Sequence, residues 1–322
     1  MSIRRVLIVN KTYPTAGLNV LKNKIESIIL PNLDYESNFL AEVKNNIKGV
    51  DALIWNTKHR LTREILLLAG PSLKVVSTMS SGLDHIDVED LKSLGVKLGR
   101  TPAAGYTSVA DIAVGLMIGA GRRFKEGIQE LETGNWRFGV QWRLGQGIEG
   151  STVGVIGLGG IGQAVVRRLR GFDVARFLYS GRSDKPEAKD LGAERVSLQQ
   201  LLKESDYVLI TCPYTNETRN LINADTLKLM KPTSVLVNIG RGEIINHDAL
   251  YEALKENRIF AAGLDVTHPE PMPSDHPLVS LPNCLILPHI GTAVVATREA
   301  MAKMAANNIL LALEDKPMPY QV

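Results

Sequence analysis

Three segments late in the chain each carry one side chain suited to anion binding or proton transfer. Arg241 lies in the run 238–242, Glu270 stands between two prolines, and His289 lies in the run 287–291. A guanidinium can hold a carboxylate and polarise a carbonyl. Histidine ordinarily titrates near neutrality, and a carboxylate partner can orient its ring for acid–base work. These are the groups that interconversion of a 2-keto acid with its 2-hydroxy acid requires.

A glycine-rich turn supplies a second kind of chemistry. The apolar run Val153–Ile156 leads into Gly157, Gly159 and Gly162, spaced as G-x-G-x-x-G before a helical pattern. Such a turn lets the backbone approach a pyrophosphate, which then lies against the helix N-terminus. Because a strand precedes it and further strand–helix units follow, the motif predicts a dinucleotide site rather than a turn that binds nothing.

The end of the next strand indicates which dinucleotide binds. A carboxylate there usually holds the ribose 2′-hydroxyl of NAD. Here Phe177–Tyr179 runs into Ser180 and Gly181, then Arg182, Ser183 and, two residues on, Lys185, and the strand end carries no carboxylate. Arg182 can pair with a 2′-phosphate, and Ser183 and Lys185 can add a hydrogen bond and a charge. NADP is favoured over NAD, with a solvated turn arginine as the alternative.

Short β-branched runs alternating with helix-length segments position these residues. Continuous apolar strands of this kind predict parallel sheets covered on both faces. The pattern predicts an α/β fold of two doubly wound units. The first set of strands is 6–9, 52–55, 75–78 and 96–98, and the second is 153–156, 177–179, 208–210, 235–238, 261–264 and 285–287.

Domain boundaries follow from prolines and from the last helix. Pro102 stops one element before a long helix that begins near Thr107, and a helical pattern over 294–314 has no strand after it. We predict a substrate domain of residues 1–102 and 292–322 and a dinucleotide domain of 103–291. Residues 125–150 break the alternation with Trp136, Phe138 and Trp142 among glycines, which predicts a dimerisation arm; a surface loop is the alternative.

Composition excludes several classes of protein. The 322 residues carry a net charge of +3, too balanced to predict a nucleic-acid or membrane partner. The apolar stretch 109–121 contains Asp111 and is too short for a membrane span. Cys212 and Cys284 show no metal-ligand spacing, so no metal is expected, and two thiols in so long a chain are typical of a reduced cytoplasmic protein. Cys212, after the strand 208–210, is expected to line the cofactor site without reacting.

The chain resembles the D-isomer-specific 2-hydroxyacid dehydrogenases over nearly its whole length, and within them the glyoxylate/hydroxypyruvate reductases. The resemblance rests on motifs in the family's order. They are Ser77–His85, the glycine turn, Tyr179–Arg182, Arg241–Gly242, Gly263–Val266, Pro269–Pro271 and Pro288–Gly291. It implies a flavodoxin-like substrate domain and a Rossmann domain that binds NAD(P).

The resemblance also implies residue roles. Arg241 would be the cation that binds the carboxylate and polarises the carbonyl, His289 the general acid/base, and Glu270 its partner. The Ser81 and Gly82 amides would cradle the substrate carboxylate, with Thr292 beside the substrate, and Asp265 would bond the nicotinamide carboxamide. The other implied cofactor contacts are Gly157, Gly159, Gly160, Ile161, Gly162, Pro213, Ile239 and Gly291.

Some positions depart from the family pattern. Gly160 stands where relatives often carry Arg, which removes one phosphate contact, and Ser81 stands where an aliphatic residue often precedes the glycine. The remaining histidines are expected to have no catalytic role: His85 and His268 are expected to be structural, and His59, His247 and His276 to lie at the surface.

The resulting hypothesis is NADPH-dependent reduction of glyoxylate or hydroxypyruvate to glycolate or D-glycerate in a homodimer, with His289 as general acid. An NAD-linked phosphoglycerate or D-lactate dehydrogenase is the nearest alternative. A dinucleotide-sensing corepressor or scaffold on the same fold is the alternative from another class, and the Arg–Glu–His set argues against it.

Overall fold

The chain forms two compact units. A computed structural model describes residues 4–31 and 38–322. Unit 1 comprises Met1–Gly105 with Ala293–Val322, and unit 2 comprises Tyr106–Thr292. The two crossings between domains were predicted after residues 102 and 291. Which ligand each unit binds stays a prediction.

Unit 1 is built on a five-stranded parallel sheet. The strand order is β2-β1-β3-β4-β5, the flavodoxin-like order. The strands, numbered here through the whole chain, are β1 (Arg5–Ile8), β2 (Glu26–Ile29), β3 (Ala52–Ile54), β4 (Val75–Ser77) and β5 (Lys97–Gly99). Its helices are α1 (Thr15–Leu21), α2 (Phe39–Asn46), α3 (Arg63–Ala69), α4 (Val88–Ser93) and the last helix of the chain, α13 (Val295–Leu313).

The last helix returns to unit 1. Helix α13 packs against α1 and the strands β3, β4 and β5. Its residues Met301, Ala305 and Ile309 are buried in one core cluster with Val6 and Ile8. The i, i+4 spacing of these three places them on one face of the helix. Because unit 1 buries that face, the helical pattern over 294–314 needs no strand after it.

Unit 2 is built on a seven-stranded parallel sheet. The order is β12-β11-β10-β9-β6-β7-β8. The strands are β6 (Thr152–Ile156), β7 (Arg176–Ser180), β8 (Ala193–Arg195), β9 (Tyr207–Ile210), β10 (Val235–Asn238), β11 (Ala261–Leu264) and β12 (Cys284–Ile286). Strand β6 pairs with β7 on one side and β9 on the other, so the direction of winding reverses there, as in the dinucleotide-binding Rossmann fold.

Helices cover both faces of this sheet. Two separate core clusters of unit 2 contain alternate residues of the same strands, such as Val155 and Ile156 of β6. The helices are α5 (Tyr106–Gly121), α6 (Phe124–Glu132), α7 (Gly160–Leu169), α8 (Glu187–Leu191), α9 (Leu198–Glu204), α10 (Ala224–Leu227), α11 (His247–Lys255) and α12 (Pro277–Ser280). The prediction of two doubly wound α/β units is confirmed.

Two strands were not predicted from the sequence. The ten predicted strands are present, with ends that differ by at most one residue, but β2 and β8 are additional. Both lie at an edge of their sheet, and all of their residues are exposed or half-buried. Because an edge strand faces solvent, it lacks the continuous apolar run by which a central parallel strand is recognised.

The apolar stretch 109–121, which was expected to be too short for a membrane span, is part of a longer helix, α5. Together with the 3₁₀ turn before it, Ala103–Gly121 is 19 residues long with a mean hydropathy of 1.4, enough to cross a membrane by length and composition. However, α5 packs on α7, β10 and β11, and Ala113, Leu116 and Met117 lie in the core of unit 2. A core helix passes the same test of length and composition, and α5 is one.

Candidate active site and dinucleotide site

The residues predicted for catalysis and cofactor binding in unit 2 follow the carboxyl ends of its strands. The glycine turn follows β6, Arg182 follows β7, Arg241 follows β10, Glu270 follows β11 and His289 follows β12. All seven strands are parallel, so these ends meet at one edge of the sheet. Ligands of open α/β sheets bind outside this edge, at the point where the strand order reverses.

The glycine turn fits a dinucleotide. Gly157 has a φ of +99°, and a Cβ there would lie 2.8 Å from the backbone of Cys212, so only glycine is tolerated. A Cβ on Gly162 would overlap the carbonyl oxygen of Gly157, which keeps α7 close to the turn. Gly159, the N-cap of α7, has open space around it, and no side chain caps the helix. The helix amides are therefore accessible to a pyrophosphate.

Gly160 lies under an aromatic ring. It is the first residue of α7, and a Cβ on it would overlap the ring of Tyr106 at the start of α5. A longer side chain at this position would have to displace the ring. Glycine at this position, where the family resemblance implied arginine, therefore matches the packing of Tyr106. Ile161 beside it is half-buried.

The turn after β7 presents basic groups to solvent. Arg182 and Ser183 are exposed and Lys185 is half-buried, with its backbone N–H donating to the Tyr179 hydroxyl at 3.2 Å. Among the described residues, the Arg182 guanidinium makes no hydrogen bond. It is therefore available to a phosphate group.

Two carboxylates lie near this turn that the sequence analysis did not weigh. Asp184 lies within it, and its Oδ1 forms an ion pair with Arg195 of β8 at 3.0 Å. Glu217 follows β9: a hydrogen bond from Thr215, backbone hydrogen bonding and the charge of Arg182 together lower the pKa of the Glu217 carboxyl. The strand end itself has no carboxylate, but its surroundings are of mixed charge.

His289 and Glu270 form a direct pair. The distance from His289 Nδ1 to Glu270 Oε1 is 2.6 Å, and both side chains are half-buried. His289 has a φ of +54°, an uncommon conformation for a residue with a Cβ and one that recurs at functional sites. Because Glu270 engages Nδ1, the other ring nitrogen, Nε2, is left to exchange a proton with a ligand.

Asp265 holds the backbone that carries His289. Its Oδ1 accepts from the Ile290 N–H at 2.8 Å and its Oδ2 from the Gly291 N–H at 2.9 Å. Burial raises the pKa of Asp265, and these two backbone hydrogen bonds and the His289 charge act in the opposite direction. The hydrogen bond between Asp265 and the nicotinamide carboxamide, which the family resemblance implies, stays a prediction. In the structure the carboxylate fixes the turn after β12.

Arg241 is positioned by Asn238, the last residue of β10. The Asn238 side chain is fully buried, donates to the Arg241 carbonyl at 2.8 Å and accepts from the Gly240 N–H at 3.0 Å. Arg241 is half-buried, and its guanidinium donates to the Gly240 carbonyl at 2.8 Å. A Cβ on Gly242 would overlap the backbone of Thr267, so glycine allows this loop to approach the segment that leads to Glu270.

The remaining predicted residues lie in separate places. Ser81 and Gly82 belong to unit 1, where the Ser81 carbonyl accepts from Arg100 Nη1 at 3.2 Å. In unit 2, Pro213 follows β9 and is exposed, and Ile239 follows β10 and is buried. Gly291, which is buried, and Thr292, which is half-buried, follow β12. Their contacts with ligands stay predictions.

The histidines expected at the surface are not all there. His247 is buried, and burial, followed by the charges of His276 and His268, lowers the pKa of His247 to about 4. His276 is half-buried, and its ring accepts a hydrogen bond from the Leu278 N–H at the start of α12. His59 is also half-buried and stacks on Phe39, with the ring centroids 4.9 Å apart. Surface placement was therefore wrong for His247. Its neighbours in sequence are polar, so local pattern did not reveal that its ring points inward.

Cys212 is buried beside the glycine turn. Burial raises the pKa of the Cys212 thiol to about 11, and that of Cys284 to about 12. A thiol of this kind stays protonated at neutral pH and is a poor nucleophile. This supports the expectation that Cys212 is unreactive.

Two residues that hold the loops of the site in place, Asn238 and Arg195, were not predicted from the sequence. A buried polar residue at the end of an apolar strand was the available signal for Asn238, because such a side chain must find partners. No local signal existed for Arg195, since β8 itself was not predicted.

The fold and the site together define a dehydrogenase dependent on a nicotinamide dinucleotide. Comparison with known proteins agrees. The sequence model described as D-isomer specific 2-hydroxyacid dehydrogenase, NAD binding domain, matches residues 114–291.

Relatives match over most of the chain. A glyoxylate reductase/hydroxypyruvate reductase of Homo sapiens is 44% identical over 283 residues, 87% of this chain and 86% of that protein. A glyoxylate reductase of Thermococcus onnurineus is 40% identical over 313 residues, 95% of this chain and 92% of that protein. The structure of an NADPH-dependent glyoxylate/hydroxypyruvate reductase from Sinorhizobium meliloti, in complex with NADP and malonate, matches with a TM-score of 0.84 at 30% identity, covering 100% of this chain and 97% of that one.

The chain belongs to the D-isomer specific 2-hydroxyacid dehydrogenase family. The resemblance found in the motifs is confirmed, and the protein is an NAD(P)-dependent dehydrogenase.

Proposed function

We propose that this protein reduces glyoxylate and hydroxypyruvate to glycolate and D-glycerate with NADPH, and that His289 is the general acid. The observation that carries the proposal is the 2.6 Å contact between His289 Nδ1 and Glu270 Oε1, on a turn that Asp265 holds in place. Such a pair argues against a protein that only senses dinucleotides. The names of the relatives support the choice of substrate.

Each residue has a distinct part in the reduction. A bound nicotinamide dinucleotide supplies the hydride. Arg241 holds the substrate carboxylate and stabilises the negative charge that develops on the carbonyl oxygen. His289 donates the Nε2 proton to that oxygen, and Glu270 keeps the ring oriented and stabilises its charged form. In the reverse direction neutral His289 accepts the proton from the hydroxyl group.

For Ser81, Gly82 and Thr292 a role in substrate binding is proposed from the family resemblance alone. The backbone N–H groups of Ser81 and Gly82 would bind the carboxylate, a role that rests on the family resemblance. The bond from Arg100 to the Ser81 carbonyl holds this segment within unit 1. Asp265, besides fixing its turn, is proposed to accept from the nicotinamide carboxamide.

The preference for NADPH rests on the turn after β7. Arg182 is exposed and makes no hydrogen bond within the part of the chain that the structure describes, so it can pair with a 2′-phosphate through two parallel N–H groups. Loss of such a charge-assisted contact corresponds to about 2–3 kcal/mol, or about 30- to 150-fold in kcat/KM.

Steady-state kinetics with NADPH and NADH in parallel test the proposal. The substrates are glyoxylate, hydroxypyruvate, pyruvate and phosphohydroxypyruvate. We expect the first two to give the highest kcat/KM and NADPH to exceed NADH by about 30- to 150-fold. Equal efficiency with both cofactors would reject NADP, and a preference for the last two substrates would indicate a lactate or phosphoglycerate enzyme. No turnover with any of them would favour the dinucleotide sensor.

We further propose a homodimer formed through the arm that follows α5. Helix α6 and the segment after it expose apolar side chains, among them Phe138 at 89% and Val140 at 91%. Contiguous exposure of this kind marks interaction surfaces. The base of the arm is anchored by the buried Glu126 carboxylate, which pairs with Arg123 and Arg143 at 2.6 Å each. Light scattering should give the mass of two chains, and a monomer at working concentration would rule the dimer out.

A further inference from the structure

The turn after β7 is held by an arginine from the edge of the sheet. Arg195, the last residue of β8, donates from Nη2 to the carbonyls of Gly181 at 3.0 Å and Arg182 at 3.2 Å. Its Nη1 bonds Asp184 Oδ1 at 3.0 Å. One guanidinium thus contacts three of the four residues from Gly181 to Asp184. It comes from β8, the neighbouring strand in the sheet, and not from the turn itself.

These contacts have two separate consequences. The two bonds to carbonyls fix the backbone on either side of the Arg182 Cα, and so limit where its guanidinium can point. The ion pair draws the Asp184 charge toward Arg195 and away from the neighbouring cations. Both consequences bear on a dianionic ligand that Arg182 and Lys185 would receive.

The charge balance at the turn depends on Arg195. The cluster comprises the basic Arg182, Lys185 and Arg195 and the acidic Asp184 and Glu217. It carries one net positive charge, and without Arg195 it would be neutral. A phosphate monoester carries close to two negative charges at neutral pH, so a neutral cluster would attract it less.

We propose that Arg195 is a positioning residue for NADP recognition, which fastens the Gly181–Asp184 turn and neutralises Asp184 so that Arg182 and Lys185 can bind the 2′-phosphate. This inference rests on the proposed preference for NADPH. It assigns part of that preference to a residue that does not itself touch the cofactor.

The test measures dissociation constants of NADPH and NADH by titration calorimetry, without substrate. Arg195→Ala should weaken NADPH binding about fivefold, which is the largest effect expected from loss of an exposed ion pair. It should leave NADH binding unchanged. Arg195→Lys, which keeps the charge but cannot make the forked contacts, should give an intermediate value. Adding Asp184→Asn to Arg195→Ala should restore part of the NADPH affinity, because the uncompensated carboxylate is removed.

Arg176 provides a matched control. It is an exposed arginine on the neighbouring strand β7, paired with Glu194 and Glu204 at 3.0 and 2.9 Å, but it lies at the opposite end of the strand. Arg176→Ala should change neither dissociation constant. If Arg176→Ala mimics Arg195→Ala, the effect is a general loss of surface ion pairs and the proposal is rejected.

The possible failures are distinguishable. If the unmodified protein binds NADH as tightly as NADPH, the preference for NADP is wrong, and the role of Arg195 is wrong with it. If the unmodified protein prefers NADPH and Arg195→Ala retains the full preference, only the role of Arg195 is overturned. Equal weakening of both cofactors would assign Arg195 to the stability of unit 2 instead.

Discussion

Two regions at the same edge of the unit 2 sheet are built in different ways. The proposed catalytic region, after β10, β11 and β12, is held by buried polar groups: Asn238 is fully buried and Asp265 is 2% exposed. The Gly181–Asp184 turn after β7, the proposed phosphate site, is held by exposed groups. The Asp184 side chain is 83% exposed and the Arg195 side chain is 39% exposed. Both regions are proposed to bind charged ligand groups, but only in the first are the supporting side chains buried away from water.

The difference predicts how each region responds to change. A buried hydrogen bond that loses one partner leaves the other unsatisfied, at a cost of about 1–3 kcal/mol. An exposed ion pair contributes about 0–1 kcal/mol and is screened by salt. Substitution of a buried supporting residue such as Asn238 should therefore have a larger effect than substitution of an exposed supporting residue such as Arg195.

The largest effect is expected for His289→Ala. Loss of a general acid should lower kcat for keto-acid reduction by about 10²- to 10⁴-fold. The dissociation constant of NADPH should change little, because its expected contacts lie mainly on the glycine turn and around Arg182. A near-normal rate would reject the mechanism and reopen the dinucleotide-sensor hypothesis.

Arg182→Ala should have the next largest effect, confined to one cofactor. The kcat/KM with NADPH should fall by about 30- to 150-fold while that with NADH is nearly unchanged, because only the 2′-phosphate loses a partner. Parallel kinetics with the two cofactors measure this. A similar loss with both would point to a general binding defect and would remove the distinction between the two regions.

The buried His247 makes the stability of unit 2 depend on pH. The pKa of His247 is lowered to about 4 by burial, against about 6.5 in an unfolded chain. The unfolded state therefore binds a proton below pH 6.5 that the folded state does not, and stability is lost as pH falls toward 4. Between pH 7 and pH 5 the loss should be about 2 kcal/mol.

Urea unfolding at these two pH values measures the loss. His247→Gln, which cannot titrate, should reduce the difference by about that amount, whatever its effect on stability at pH 7. Arg195→Ala should leave the difference unchanged. If His247→Gln leaves the pH dependence as it was, another group is responsible.

Asn238→Ala should have the smallest effect of the four. Removing both side-chain bonds to the Gly240–Arg241 loop should lower kcat/KM for the keto acid about tenfold by misplacing Arg241, with NADPH affinity largely kept. Asn223, which caps α10 by hydrogen bonds to backbone N–H groups, is the matched control. Asn223→Ala should lower the melting temperature without changing the kinetics, and equal kinetic losses in both variants would contradict a positioning role for Asn238.

Much of the fold was readable because its signals are local. The alternation of apolar runs with helical segments predicted ten strands and the two doubly wound sheets. The edge strands β2 and β8 were not predicted, since their exposed or half-buried side chains do not form an apolar run. The prediction that His247 lies at the surface was wrong for a related reason. The direction of a single side chain depends on the tertiary packing around it, which local sequence does not show.

For the site, the sequence by itself determined which residue types follow each strand: the glycine turn after β6, the arginine after β7 and the Arg241, Glu270 and His289 set. Glycine spacing and strand ends are properties of short segments, so they can be read without a structure. Only the tertiary structure decided which of these groups touch. The 2.6 Å contact of His289 with Glu270, the Asp265 bonds to the turn after β12 and the reach of Arg195 to the Gly181–Asp184 turn each join residues at least 11 positions apart. Such contacts depend on strand order and on the direction of single side chains, which no local pattern encodes.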